Sequence, residues 1–160
     1  MPSLIDQDFD APITFQRRPI DIPGEMRPAW RIAFIVLMLH VCCRGKRSSI
    51  QRLHVYSWCN RSAQSSNLLT RALTERLAPG QVLVRIEPSL ARAVDLAIGA
   101  RLLERETKDR VTLTADGISF AEEIIEIPNL LEREKEWAAA LGQRVTENFV
   151  NSIFHHGVVK

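Results

Sequence analysis

Gly99-Ala-Arg-Leu-Leu-Glu-Arg-Glu-Thr-Lys-Asp-Arg-Val-Thr-Leu-Thr-Ala-Asp-Gly-Ile-Ser-Phe-Ala-Glu-Glu123 is the stretch whose reading decides the fold. Leu102 and Leu103 form an apolar step, and a charged tip runs from Glu104 to Arg110. An alternating run follows, Val111-Thr112-Leu113-Thr114, in which Val111 and Leu113 share one face of a strand. Asp116 offers an N-cap oxygen for a helix that opens near Gly117. The expected order is strand, short polar loop, strand, capped helix.

A Gly-x-x-Leu-Leu step before such a loop and a Leu-Thr-x-x-Gly step after it resemble the β-wing of a winged helix. The fold class expected is therefore mainly α with a small β-wing (α+β). Upstream, Pro28 sits where a helix opens at Ala29, because proline lacks only a donor that the first turn leaves unused. Residues 30–43 are apolar nearly all round, which predicts a helix buried on all sides, ended by Gly45. Ser48 or Ser49 caps the next helix, to about Asn60, with Ile50 and Leu53 on its apolar stripe. Residues 62–67 read as a polar linker, and a third helix runs from Leu68 to Leu77, closed by Pro79-Gly80. Gln81 to Glu87 reads as a strand, and Ser89 to Ala100 as a helix with Leu90, Ala93, Val94, Ala97 and Ile98 in one stripe. The helix after the wing ends near Ile127 at Pro128, and one long helix is expected from Asn129 to Phe154. Residues 1–28, with five prolines and no helical period, are expected to form an extended arm that lies along its own domain or a partner. The domain plan is an arm over 1–28, a winged-helix domain over 29–127, and a C-terminal helix and tail over 128–160.

Composition narrows the function class. Hydrophobic residues make up 46% and charged residues 25%, the proportions of an ordinary globular chain. The acidic start lacks the basic-then-apolar order of a signal peptide, and the longest apolar run is shorter than the roughly 20 residues that span a bilayer. A cytoplasmic protein without a membrane segment is expected. Cys42, Cys43 and Cys59 are odd in number and lack paired metal-ligand spacing, which favours free thiols and no metal. No nucleophile, base and orienter converge, and no glycine-rich phosphate loop is present, so neither catalysis nor a cofactor is expected. His54 with nearby acidic groups is the thin starting point for a hydrolase or nuclease.

Charge is unevenly placed. Residues 1–26 carry a net −3, residues 27–78 carry nine basic groups against Glu75 alone, and residues 79–160 carry a net −3. A +8 block in a nearly neutral chain predicts contact with a polyanion or an acidic protein surface. Arg44, Lys46, Arg47 and Arg52 surround the start of the second helix, where free backbone N–H groups and the helix dipole favour phosphate. Lys108 and Arg110 add charge at the wing tip. The helix before the wing is a poor base reader, with only Ser89, Arg92 and Asp95 clearly polar. Sequence-independent backbone contact is the expected mode. Trp137, Leu141, Phe149 and Ile153 lie on the apolar stripe of the last helix and are the candidate partner contacts; packing back on the same domain is the equal alternative.

Val84-Arg85-Ile86-Glu87-Pro88-Ser89-Leu90, then Ala93 and Ala97, Arg101-Leu102-Leu103, and Leu113-Thr114-x-x-Gly117 follow a familiar order. Leu130-Leu131-x-x-Glu134-Lys135 and Val145-Thr146-Glu147 extend it. Over residues 30–150 this resembles the middle components of ABC-three-component systems, small winged-helix partners of SMC-like ATPases such as those of Lamassu-type anti-phage defence. The resemblance implies a non-catalytic subunit that binds an SMC-like ATPase and helps hold DNA or an effector nuclease. A stand-alone dimeric winged-helix regulator of transcription is the alternative.

Overall fold

The computed structural model describes residues 27–75 and 81–156, so the reading of the arm lies outside the described residues apart from its last two positions. The described chain forms seven helices and a three-stranded antiparallel sheet. The first helix, α1 (Pro28–Cys42), starts on Pro28 and has no polar face, and it becomes the centre of the core. Phe34, Ile35, Val36, Leu37, Met38, Leu39 and Cys42 are all buried along it. It touches α2 (Ile50–Asn60), α4 (Pro88–Gly99), α5 (Ala115–Glu126) and α6 (Glu132–Leu141), which leaves water little access to any side. Burial of this kind contributes about 2 kcal/mol for each large apolar side chain.

A single 3-10 turn, Arg44–Lys46, follows α1, with Gly45 and Lys46 both at positive φ (69° and 55°). The chain then enters β1 (Arg47–Ser49), a strand that the sequence pattern does not announce. Three residues are too few to show alternation, and the strand exists only because β3 (Arg110–Leu113) lies beside it. β1 pairs with β3 through Arg47↔Thr112, Ser48↔Val111 and Ser49↔Arg110. On the other side β2 (Leu103–Thr107) pairs with β3 from Leu103↔Leu113 to Thr107↔Arg110, with a bulge between Arg105 and Thr107. The sheet order is β1-β3-β2. Val111 and Leu113 face the core, as their alternation requires.

Four boundaries differ from expectation. The helix after the β2–β3 hairpin, α5, is capped by Thr114, whose Oγ1 accepts from Gly117 N at 3.0 Å; Asp116 lies inside the first turn. Both residues can cap, and the close approach of Gly117 to Leu102 selects the earlier start. A Cβ on Gly117 would lie 2.0 Å from the Leu102 carbonyl oxygen and 3.0 Å from Leu113 Cδ2, so this position requires glycine. The helix α3 (Ala63–Thr74) takes in most of the expected polar linker, because Ser62 caps it by accepting from Ser65 N at 3.1 Å. Gln81 to Glu87 enters no sheet. The expected long C-terminal helix is two helices, α6 and α7 (Glu147–His156). Gly142 divides them at φ 56°, ψ −145°, a conformation that side chains disfavour. Arg144 caps the exposed carbonyls of Leu141 and Ala140 at 3.0 Å each, and Thr146 Oγ1 accepts from Phe149 N at 3.2 Å to restart the helix.

Candidate functional site

The basic block divides on folding into an exposed group and a buried one. Arg44 and Arg47 are exposed and Lys46 is half-buried on the turn and strand between α1 and α2. Pairing of β1 with β3 brings this turn into the same sheet as the β2–β3 hairpin, where Thr112 Oγ1 donates to the Lys46 carbonyl at 3.4 Å. Arg47 lies 3.8 Å from Glu106 of that hairpin. Lys108 is exposed at the hairpin tip. Arg110 is half-buried, within 4.0 Å of both Glu106 and Glu147.

Arg52 is not part of this surface. It is 6% exposed, and its Nε donates to Tyr56 Oη at 2.9 Å while Nη2 donates to the Cys42 carbonyl at 2.9 Å. The guanidinium thereby caps the C-terminus of α1, a structural task that withdraws it from any phosphate. The α2 N-terminus is also occupied. Glu147 at the start of α7 accepts from Ser49 N at 2.9 Å and from Ser49 Oγ at 2.7 Å, and Arg52 Nη1 stands 3.7 Å from its carboxylate. Where phosphate contact is expected, the N-cap of α2 is held by the protein's own carboxylate. Nothing local in Ser48-Ser49-Ile50 indicates this, because the partner is 98 residues away.

The β2–β3 hairpin and the preceding helix α4 share their charges internally. Arg105 Nη2 donates to Asp95 Oδ1 on α4 at 2.9 Å, and Arg105 Nη1 to the Lys108 carbonyl at 3.0 Å. The outer face of α4 presents Ser89, Ala91, Arg92, Asp95 and Leu96, with Leu96 52% exposed. That face offers Arg92 without an ion pair among the described residues, beside an apolar side chain.

Three of the four candidate partner residues, Trp137, Leu141 and Phe149, pack on their own domain. Leu141 is buried in the core, and Trp137 donates from Nε1 to Ser66 Oγ at 2.9 Å and meets the Tyr56 ring edge-on at 6.3 Å. Phe149 is half-buried against the core, and Ile153 is half-buried further along α7. Splitting the last helix at Gly142 is what allows both halves to fold back.

Burial favours the neutral form of the three thiols and of His40 and His54. Burial pushes the Cys42 thiol up to about 12, and also raises Cys43 and Cys59. His54 is buried, its pKa lowered mainly by desolvation, and its Nδ1 accepts from Glu87 N at 3.3 Å. His40 is lowered by the same cause, with Lys46 adding to it. No group of three metal-ligating side chains occurs among the described residues. No helix among them is long and apolar enough to cross a membrane.

One cluster escapes local pattern altogether. Glu87 binds Arg31 of α1 at 3.0 Å through one carboxylate oxygen and Arg61 through the other. Beside it, Trp58, Arg61, Ser62, Ser65 and Arg85 line a cleft of about 350 Å³. Trp30, Ala33, Phe120, Ile124, Ile127 and Leu130 line an apolar groove of about 380 Å³ between α1 and α5. Comparison with family models, curated proteins and solved structures finds no match to this chain.

Proposed function

We propose that this chain is a winged-helix interaction subunit without catalytic function, working beside an SMC-like ATPase of the anti-phage defence type and bridging it to DNA or an effector nuclease. The observation that carries the winged-helix part is topological. Helix, short strand, two helices, then a further helix and a hairpin, with sheet order β1-β3-β2, is an arrangement that suits a wing beside an exposed helix. Base reading is disfavoured by what that helix exposes. Leu96 and Asp95 occupy the outer face, and Asp95 is already bound to Arg105. Protein contact suits such a face better, and Arg44, Lys46, Arg47 and Lys108 supply charge for sequence-independent contact with phosphates. The ATPase as partner rests on the sequence resemblance over residues 30–150.

The test is isolation of the tagged chain from its native host, followed by mass measurement of the intact complex. Co-purification with a large coiled-coil ATPase in fixed stoichiometry is the expected result. Recovery alone, coupled with strong preference for one operator over random duplex, would replace this function with that of a transcription regulator.

A further inference from the structure

Val82-Leu83-Val84-Arg85-Ile86 has the composition of a strand, yet it joins no sheet. Residues 82–86 make no backbone hydrogen bond to any described residue. The segment is nevertheless held at its ends. Val82 is buried, and Glu87, whose backbone is extended (φ −110°, ψ 119°), is fixed by Arg31, Arg61 and His54. Between these anchors Leu83 is 75% and Ile86 62% exposed, more than the other exposed large apolar side chains of the described chain. Connecting loops are ordinarily polar, and their backbone groups are met by water. An anchored, β-prone run with free donors and acceptors and outward apolar side chains has instead the properties of an uncovered edge strand.

We infer that this segment pairs antiparallel with the same segment of a second copy of the chain. The sequence is complementary to itself in that arrangement. With Val84 on the two-fold axis, Val82 stands opposite Ile86, Leu83 opposite Arg85, and Gln81 opposite Glu87. No like charges meet, whereas an in-register parallel pair would set Arg85 against Arg85 and Glu87 against Glu87. The contact is isologous, so it closes at two copies; strand alternation sets Leu83 and Ile86 on opposite faces, Leu83 beside Arg85 of the second copy and Ile86 beside its Val82. Five or six residues a side bury less than the roughly 1,200 Å² of a standard stable interface, so the dimer is weak, with a Kd on the order of tens of micromolar. This dimer does not depend on an ATPase partner.

Sedimentation equilibrium of the full chain across the micromolar to sub-millimolar range tests the pairing, together with amide hydrogen exchange over residues 82–86 at both ends of that range. The expected result is a monomer–dimer equilibrium in which protection of these amides rises with concentration. In the double variant Leu83→Lys, Ile86→Lys, which alters only exposed side chains, association weakens by about tenfold or more and the protection disappears. A monomer at every concentration overturns the inference. So does a dimer whose 82–86 amides stay unprotected, and so does protection independent of concentration, which assigns the segment to a cover within the same chain.

Discussion

Gly117 shows how little room a single position leaves. Its α-carbon lies so close to the Leu102 carbonyl that any Cβ would overlap it, and because the obstructing atoms of Leu102 are backbone no cheap shift relieves the overlap. Gly117→Ala is expected to lower stability by about 3 kcal/mol, read from the shift in urea midpoint at unchanged slope. His54 sets a different constraint. Burial lowers its pKa below the usual histidine value, and Nδ1 must stay unprotonated to accept from Glu87 N. The unfolded chain therefore binds the proton more readily than the folded one, and stability falls as pH drops below about 6.5. Its full contribution is present above that pH. His54→Gln, which keeps an acceptor, should flatten the fall between pH 6.5 and 5, with the remaining slope reporting His40, which is lowered in the same direction. An unchanged slope in denaturation measured across that range would remove His54 as the cause.

Elements here end through specific contacts more than through propensity. The end of α4 is a Schellman turn, with Leu102 N on the Ala97 carbonyl at 3.0 Å and Arg101 N on the Ile98 carbonyl at 2.9 Å. The residue in the left-handed position is Arg101, at φ 61°, while Gly99 lies within the helix. Arg101 is exposed and makes no side-chain bond among the described residues, so Arg101→Gly should raise stability by about 1 kcal/mol, measured as a higher urea midpoint. The end of α5 is held from a distance, by Lys135 Nζ on the carbonyls of Ile125 (3.2 Å) and Ile127 (2.7 Å). These contacts explain which boundaries were legible beforehand. Pro28, Ser49 and the alternation of Val111 and Leu113 act through near neighbours, and each marks its element in the sequence. Gly142 was legible in principle, since glycine followed by Thr146 and Glu147 is a stop and a fresh cap, but the unbroken apolar stripe outweighed it.

Across the whole molecule the basic block becomes two systems. Arg52, with Tyr56, Cys42 and Glu147, ties α1, α2 and α7 together, whereas Arg44, Lys46, Arg47 and Lys108 remain toward solvent. Charge reversal should separate them. Arg44→Glu with Arg47→Glu is expected to leave folding unchanged and to weaken binding to random duplex DNA, reducing the slope of log affinity against log salt by about 2. Arg52→Ala should instead destabilise the fold by about 2–4 kcal/mol, because it leaves Glu147 and the Cys42 carbonyl short of a donor. Equal salt slopes for the wild type and the double variant would remove the exposed group from any phosphate contact.

Local chemistry in the sequence by itself determined a great deal. The all-apolar run made α1 the central helix, and the Leu-Leu and Leu-Thr-x-x-Gly steps placed the hairpin and α5. Tertiary structure alone decided the rest. Glu147 entered the N-terminus of α2, Arg52 turned inward, β1 became a strand, residues 82–86 were left unpaired, and Trp137 and Leu141 went to the core. The division has one physical cause. Periodicity, caps and turns act over a few residues and can be read along the chain. Ion pairs and strand pairings join residues dozens of positions apart, and their partners are fixed only when the core closes.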